Sequence, residues 1–196
     1  MAIVVEHEKR KREILEKSLQ LFCEEGYEDV TYQKIADRCN ITRTTLYIYF
    51  KNKKEIFLFS IKQFTKDIEK DLLLILKEEN NSIDTLKKIL MKVLEHSEKN
   101  KSLFKILLPY LTQVEKSGGD VNEKVKRRVI RIQHFMSTVI INGQKKGEIK
   151  KLPVKEINDL LYGLLESGLL RLSLLNYNDL TETKASVNFA VEQFRA

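Results

Sequence analysis

The chain has 196 residues, 42 % hydrophobic and 32 % charged, enough for a real core and too apolar for a disordered segment. Only 7 Gly and 2 Pro leave few places to turn strands, which favours helices, and a net charge of +7 calls for an anionic partner, whether nucleic acid, a membrane surface or an acidic protein. No apolar run approaches the roughly 20 residues of a membrane span, and Glu6, His7, Glu8 and Lys9 follow the start too soon for a signal peptide, so a soluble cytoplasmic protein is expected.

In chain order, the first predicted helix covers 9–25, with Ile14, Leu15, Ser18, Leu19 and Phe22 at helical spacing and Gly26 as its stop. Thr31 is an N-cap candidate for a short second helix over 32–39, facing inward through Ile35, Ala36 and Cys39. Asn40 suits a left-handed turn, Ile41 plugs the core behind it, and Thr42 caps a third helix to Tyr49. A long fourth helix opens after the polar run 51–54 and carries Ile56, Phe57, Ile61, Phe64, Ile68, Leu72 and Ile75. Further helices are expected over 82–98, 102–116, 120–146, 154–176 and 181–195. They are separated by Asn80-Asn81, Gly118-Gly119 and Gly147 with Pro153, and Pro109 is expected to bend the sixth. With no sustained strand pattern, repeat or low-complexity tract, the expected fold is all-α. Cys23 and Cys39 lack metal or disulfide spacing and read as small buried residues; no metal or cofactor is expected.

Two short helices joined by a tight turn, residues 31–49, are the arrangement in which a second helix enters the DNA major groove while the first braces it. Lys34, Arg38, Arg43, Lys51, Lys53 and Lys54 face one acid, Asp37, between positions 34 and 54, a concentration suited to phosphates. Thr42, Arg43, Thr44 and Thr45 open the third helix with a guanidinium and hydroxyls, and Arg43 is the best candidate to read a base, guanine by its forked geometry. Thr31, Gln33, Tyr47, Tyr49 and Lys53 complete the candidate DNA contacts, the last three on phosphates, whereas Leu46 and Phe50 point to the head's own core.

Gly26-Tyr27, Ile35-Ala36, Ile41-Thr42, Thr45-Leu46-Tyr47-Ile48-Tyr49-Phe50 and Asn52-Lys53-Lys54-Glu55-Ile56-Phe57, in this order and spacing, resemble the tetracycline-repressor (TetR) family over residues 9 to 60. Cys39-Asn40 stand where the family usually has a small residue and glycine, and Thr44 stands where glycine is common, so the operator sequence does not carry over. The resemblance implies a helix-turn-helix head, residues 1–52, and a helical ligand-binding and dimerisation body, residues 53–196. It also implies repression of an operator, relieved by a small-molecule effector, and pairing of the last two helices between subunits. The pairing has separate support: nine leucines between 160 and 175 exceed one core-facing stripe, and Gly163, Ser167 and Gly168 allow close approach. A homodimer would read an inverted repeat of double-stranded DNA.

Tyr110, Gln133, His134, Tyr162 and Glu166 are polar or amphipathic positions on helices expected to line the body, and stand as candidate effector contacts beside the plainer reading as partly exposed positions. No nucleophile with a base, paired carboxylates or phosphate-cradling glycine loop has recognisable spacing, so an enzyme is not expected. The alternative is a helical adaptor or membrane-surface protein with a structural helix-turn-helix, which leaves the threonine and tyrosine cluster unexplained.

Overall fold

The structure, a computed structural model, describes residues 2–116 and 122–196, with side chains for 6–116 and 130–196. The Gly118-Gly119 turn and position 120, where the seventh helix was expected to begin, lie outside the described residues. Those described form an all-α chain: α1 (Ala2–Glu25), α2 (Tyr32–Arg38), α3 (Arg43–Tyr49), α4 (Lys53–Ile75), α5 (Ser82–Lys99), α6 (Lys101–Lys116), α7 (Asn122–Lys146), α8 (Val154–Ser173) and α9 (Thr181–Glu192).

Local chemistry sets most boundaries. Gly26 takes φ +87° and donates its N–H to the Phe22 carbonyl at 2.9 Å, a conformation that side chains with a Cβ resist. Thr31 caps α2 by accepting the Lys34 N–H at 3.2 Å, and Thr42 caps α3 by accepting that of Thr45 at 3.0 Å. Between them Asn40 turns the chain at φ +52°. Asn52 accepts the Glu55 N–H at 2.8 Å while the Glu55 carboxylate accepts the Lys51 N–H, a reciprocal cap that fixes the entry into α4.

Among the described helix ends, three differ from the sequence expectation by more than one residue. α1 begins at Ala2 rather than 9, because its first turns carry helix without an apolar stripe to announce it. α8 stops at Ser173 rather than 176, where Asn176 reverses the chain at φ +55°. α9 stops at Glu192 rather than 195 because the tail pairs elsewhere: Lys150 N–H donates to the Phe194 carbonyl at 2.9 Å and Ala196 N–H to that of Glu148 at 3.2 Å. Pro109 lies inside α6, which continues through it to Lys116. Cys39 is buried as expected but Cys23 is exposed. The buried stripe of α1 runs through Ile14, Ser18, Leu21 and Phe22, and Cys23 falls one residue, about 100°, off it.

The buried side chains form two cores. The first gathers Ile14, Phe22, Val30, Ile35, Leu46, Phe50, Ile56, Phe57 and Ile61 from α1 to α4, together with Leu103, Ile106 and Tyr110 of α6. It therefore continues past position 52 and takes a wall from a helix fifty residues downstream. Its rings meet edge to face: Phe57 lies 5.7 Å from Phe22 and 4.7 Å from Tyr110, and Tyr27 lies 4.9 Å from Tyr110. The second core is mostly aliphatic, built from Leu72, Ile83, Leu86, Ile89, Leu90, Leu94, Ile140, Leu161, Leu165, Leu172 and Val187, with Met136 and Phe194 beside them. Its axis is α5, which packs on α4, α7, α8 and α9. Outside both cores, Leu160, Leu170, Leu174 and Leu175 are 49 to 59 % exposed and Phe189 of α9 is 70 % exposed.

Candidate nucleic-acid interface

α3 divides into two faces. Leu46 and the capping Phe50 are buried in the head's core, with Thr45 and Tyr49 half-buried beside them. Arg43, Thr44, Tyr47 and Ile48 are exposed on the opposite side, so the face turned to solvent offers a guanidinium, a hydroxyl, a phenol and an aliphatic group within two turns.

These groups are held in order. Tyr32 of α2 donates its hydroxyl to the Phe50 carbonyl, and its ring packs on that of Tyr47 at 4.7 Å. Arg43 donates to the Tyr47 hydroxyl at 3.2 Å and lies over its ring, 5.7 Å from the centroid. Burial, followed by the neighbouring Tyr47 phenol and the charge of Glu55, pushes the Tyr32 phenol up to about 12, so it remains a donor at any working pH. Thr31, Tyr32, Arg43, Tyr47, Lys51 and Asn52 line a groove of about 400 Å³ between α2, α3 and the α3–α4 turn.

The basic cluster read from the sequence is partly committed inside the protein. Lys34 pairs with Glu25 at 2.6 Å, and Arg38 grips both carboxylate oxygens of Glu24 at 3.1 and 2.5 Å, holding that acid below its usual range. Lys53, expected on a phosphate, instead donates to the carbonyls of Tyr27, Glu28 and Val30 at 2.9, 2.9 and 3.1 Å. Its ammonium has three protons and three acceptors, so it ties the α1–α2 loop to the start of α4. Among the described residues Arg43, Lys51 and Lys54 form no ion pair, and they are the cations left for an external anion.

Of the other candidates, Gln33 is exposed and donates to Asp37 at 2.7 Å, and the Thr42 and Thr45 hydroxyls bond each other at 2.8 Å. Tyr49 stacks on His7 of α1 at 4.7 Å. Sequence reasoning passed over two residues, Tyr32, which braces the exposed face, and Ile48, 69 % exposed on it, and named Lys51, which lines the groove, only as one of the basic cluster. Only Ile48 left a sequence signal, an aliphatic residue opposite Leu46 and Phe50 in helical phase.

The five candidate effector contacts are not gathered at one place. Tyr110 is buried in the ring cluster of the head, where its faces meet Tyr27 and Phe57, and so does not line the body's aliphatic core. His134 and Glu166 are exposed. Gln133 and Tyr162 are half-buried on α7 and α8, and burial with the Glu166 charge one turn on pushes the Tyr162 phenol up to about 12. Between these helices Asn158, unremarked in the sequence, is buried and donates to the Gln133 carbonyl at 2.8 Å and to the Ser137 hydroxyl at 2.5 Å, while its Oδ1 has no partner.

Residues 14–58, which contain this face, match the family described as "Bacterial regulatory proteins, tetR family". The fatty acid metabolism regulator protein of Bacillus subtilis (strain 168) is 24 % identical over 79 % of this chain and 78 % of its own length. The negative transcriptional regulator IcaR of the Staphylococcus aureus (strain Newman) biofilm operon icaADBC is 23 % identical over 83 % of this chain and 84 % of its own. Among solved structures, a TetR transcription regulator from Haloarcula marismortui superposes with a TM-score of 0.81 at 15 % identity, covering 96 % of this chain and all of that one. The fatty acid degradation regulator FadR from Bacillus halodurans does so with 0.75 at 17 % identity, covering 93 % and 94 %. These two likenesses concern the fold; the matched head and the regulators aligned along most of the chain concern the role. Among the described residues no helix is long and apolar enough to cross a membrane. The head, residues 14–58, belongs to the tetR family of bacterial regulatory proteins, and the chain is a DNA-binding transcriptional regulator.

Proposed function

We propose that the protein is a repressor that binds an inverted-repeat operator as a homodimer in the cytoplasm, has no enzymatic activity, and leaves the DNA when a small molecule binds its body. The observation that carries the DNA-reading part is the outward face of α3, where Arg43, Thr44, Tyr47 and Ile48 are exposed together beside Lys51 and Lys54. Guanidinium and hydroxyl groups suit base edges, and the flanking lysines suit phosphates. Thr31, Gln33, Thr42, Thr45 and Tyr49 stay proposed as peripheral contacts, and Lys53 as a brace. The division into residues 1–52 and 53–196 is proposed as one of roles.

Pairing through α8 and α9 is supported by their exposed leucines and Phe189, which a partner's equivalent face would remove from water. It would set two heads at the spacing of one DNA turn, about 34 to 36 Å. An effector weakens such binding by favouring a conformation with a different head spacing. Effector contact is proposed at the α7–α8 junction through Gln133 and Tyr162, beside the unpartnered oxygen of Asn158. Two relatives are named for fatty acid metabolism or degradation, which makes fatty acids and their thioesters the first effectors to screen.

The test is selection of duplexes from random DNA by the purified protein at about 0.15 M salt, where non-specific attraction is screened. An enriched inverted repeat is the expected result, and its release by an acyl compound would identify the effector. Recovery of no preferred sequence, with or without those compounds, would overturn the reading.

A further inference from the structure

Among the described residues Ile48 is more exposed than any other leucine or isoleucine, at 69 %. Of the other exposed aliphatic residues and Phe189, Leu160, Leu170, Leu174, Leu175 and Phe189 lie on or just after α8 and on α9, where the proposed subunit pairing accounts for them, and Leu73, Leu74 and Ile130 lie on α4 and α7; Ile48 stands on α3. It is one turn after Thr44 on the face that also presents Arg43 and Tyr47. An isoleucine there has neither a core to join nor a polar group to offer.

Its surroundings choose its partner. Arg43, Lys51 and Lys54, without ion-pair partners among the described residues, frame a polyanion rather than an apolar protein surface. In the major groove of duplex DNA the one apolar group on a base edge is the 5-methyl of thymine, which no hydrogen-bonding side chain rewards. A β-branched side chain has few rotamers and loses little freedom when it is covered. Tyr32 and Tyr47 brace the helix that carries it, so its place relative to Arg43 is set before DNA arrives.

We propose that Ile48, with Thr44 one turn earlier, reads the methyl group of a thymine in each half-site, next to the base contacted by Arg43. The proposal rests on the DNA-reading function above and adds the identity of one base and the chemistry that recognises it.

The test replaces, one at a time, each thymine of the selected half-site by deoxyuridine, which removes only the methyl group. Affinity is measured by fluorescence anisotropy for wild type, Ile48→Ala and Ile48→Val. Wild type is expected to lose about three- to fivefold at one thymine, the effect of covering one methyl group. Ile48→Ala should bind the thymine operator weaker by a similar factor and be indifferent to the replacement, and Ile48→Val should keep most of the discrimination. Because the side chain is exposed, the unfolding midpoint of both variants should match wild type. An Ile48→Ala protein that still separates thymine from deoxyuridine as wild type does, or that loses affinity equally for every sequence, overturns the assignment while leaving operator binding intact. Failure of wild type to enrich any operator overturns both.

Discussion

The two cores are made of different materials. The head packs Phe22, Phe57 and Tyr110 around Tyr27, with Phe57 and Tyr110 meeting their neighbours at steep angles; the body packs mostly leucine, isoleucine and valine around α5, with Met136 and Phe194 among them. Edge-to-face rings reward one mutual orientation, whereas aliphatic cores repack at little cost if volume is kept. On the proposed function, the part that presents four side chains to DNA at a fixed angle is thus the stiffer, and the part proposed to respond to a ligand is the more adaptable.

The severest way to break this contrast is Phe57→Ala. Removing a fully buried ring should cost about 3 to 5 kcal/mol and abolish operator binding, measured by denaturant unfolding and anisotropy, with amide exchange showing the body still protected. Uniform loss of protection in both halves would mean that the cores are one cooperative unit. Arg43→Ala comes next, at about 1 to 3 kcal/mol of operator affinity and loss of preference at one base; an unchanged base profile would remove Arg43 from the reading face. Lys53→Met should cost the head about 1 kcal/mol through lost hydrogen bonds to three carbonyls and leave the salt dependence of DNA binding as it was. A salt slope reduced by about one would instead return Lys53 to the phosphates.

The smallest effect concerns acid. Glu192, beside Arg195 and Lys87, has its carboxyl lowered from the usual 4.5 to about 2. A depressed carboxyl stabilises the folded state fully above about pH 4.5, and the contribution fades as pH falls toward 2. Glu192→Gln should therefore be slightly less stable than wild type at neutral pH, with the difference closing as pH falls from about 4.5 toward 2. An identical acid limb would show that the pair is only a surface contact.

Helix order and the caps of α2 and α3 were legible because each depends on residues within four positions: Gly26, Thr31, Asn40 and Thr42 act on their own turns. Arg43, Thr44 and Tyr47 were legible as exposed because α3 has a clear inward phase in Leu46 and Phe50. What escaped was long-range commitment. Nothing in the order of residues says that Lys53 would reach back 26 positions to Tyr27, that Arg38 would be taken by Glu24, or that Tyr110 would join rings from α1 and α4. Counting charges in a window overstated the cations offered to DNA for the same reason, since pairing partners lie outside the window.

The ring of Tyr110, borrowed by the head from α6, has a practical consequence for building chimeras. Chains cut at residue 52 would part Tyr27 from both Phe57 and Tyr110, chains cut at the end of α4 would part Tyr27 and Phe57 from the phenol that closes over them, and in either case Leu103 and Ile106 would leave with it. A head transplanted onto another body would then stand on a foreign α6, with an unfilled gap or a clash where the phenol had been. Grafts that carry residues 103, 106 and 110 along with the first sixty should keep the donor's operator preference, and grafts that omit them should fold poorly at the seam.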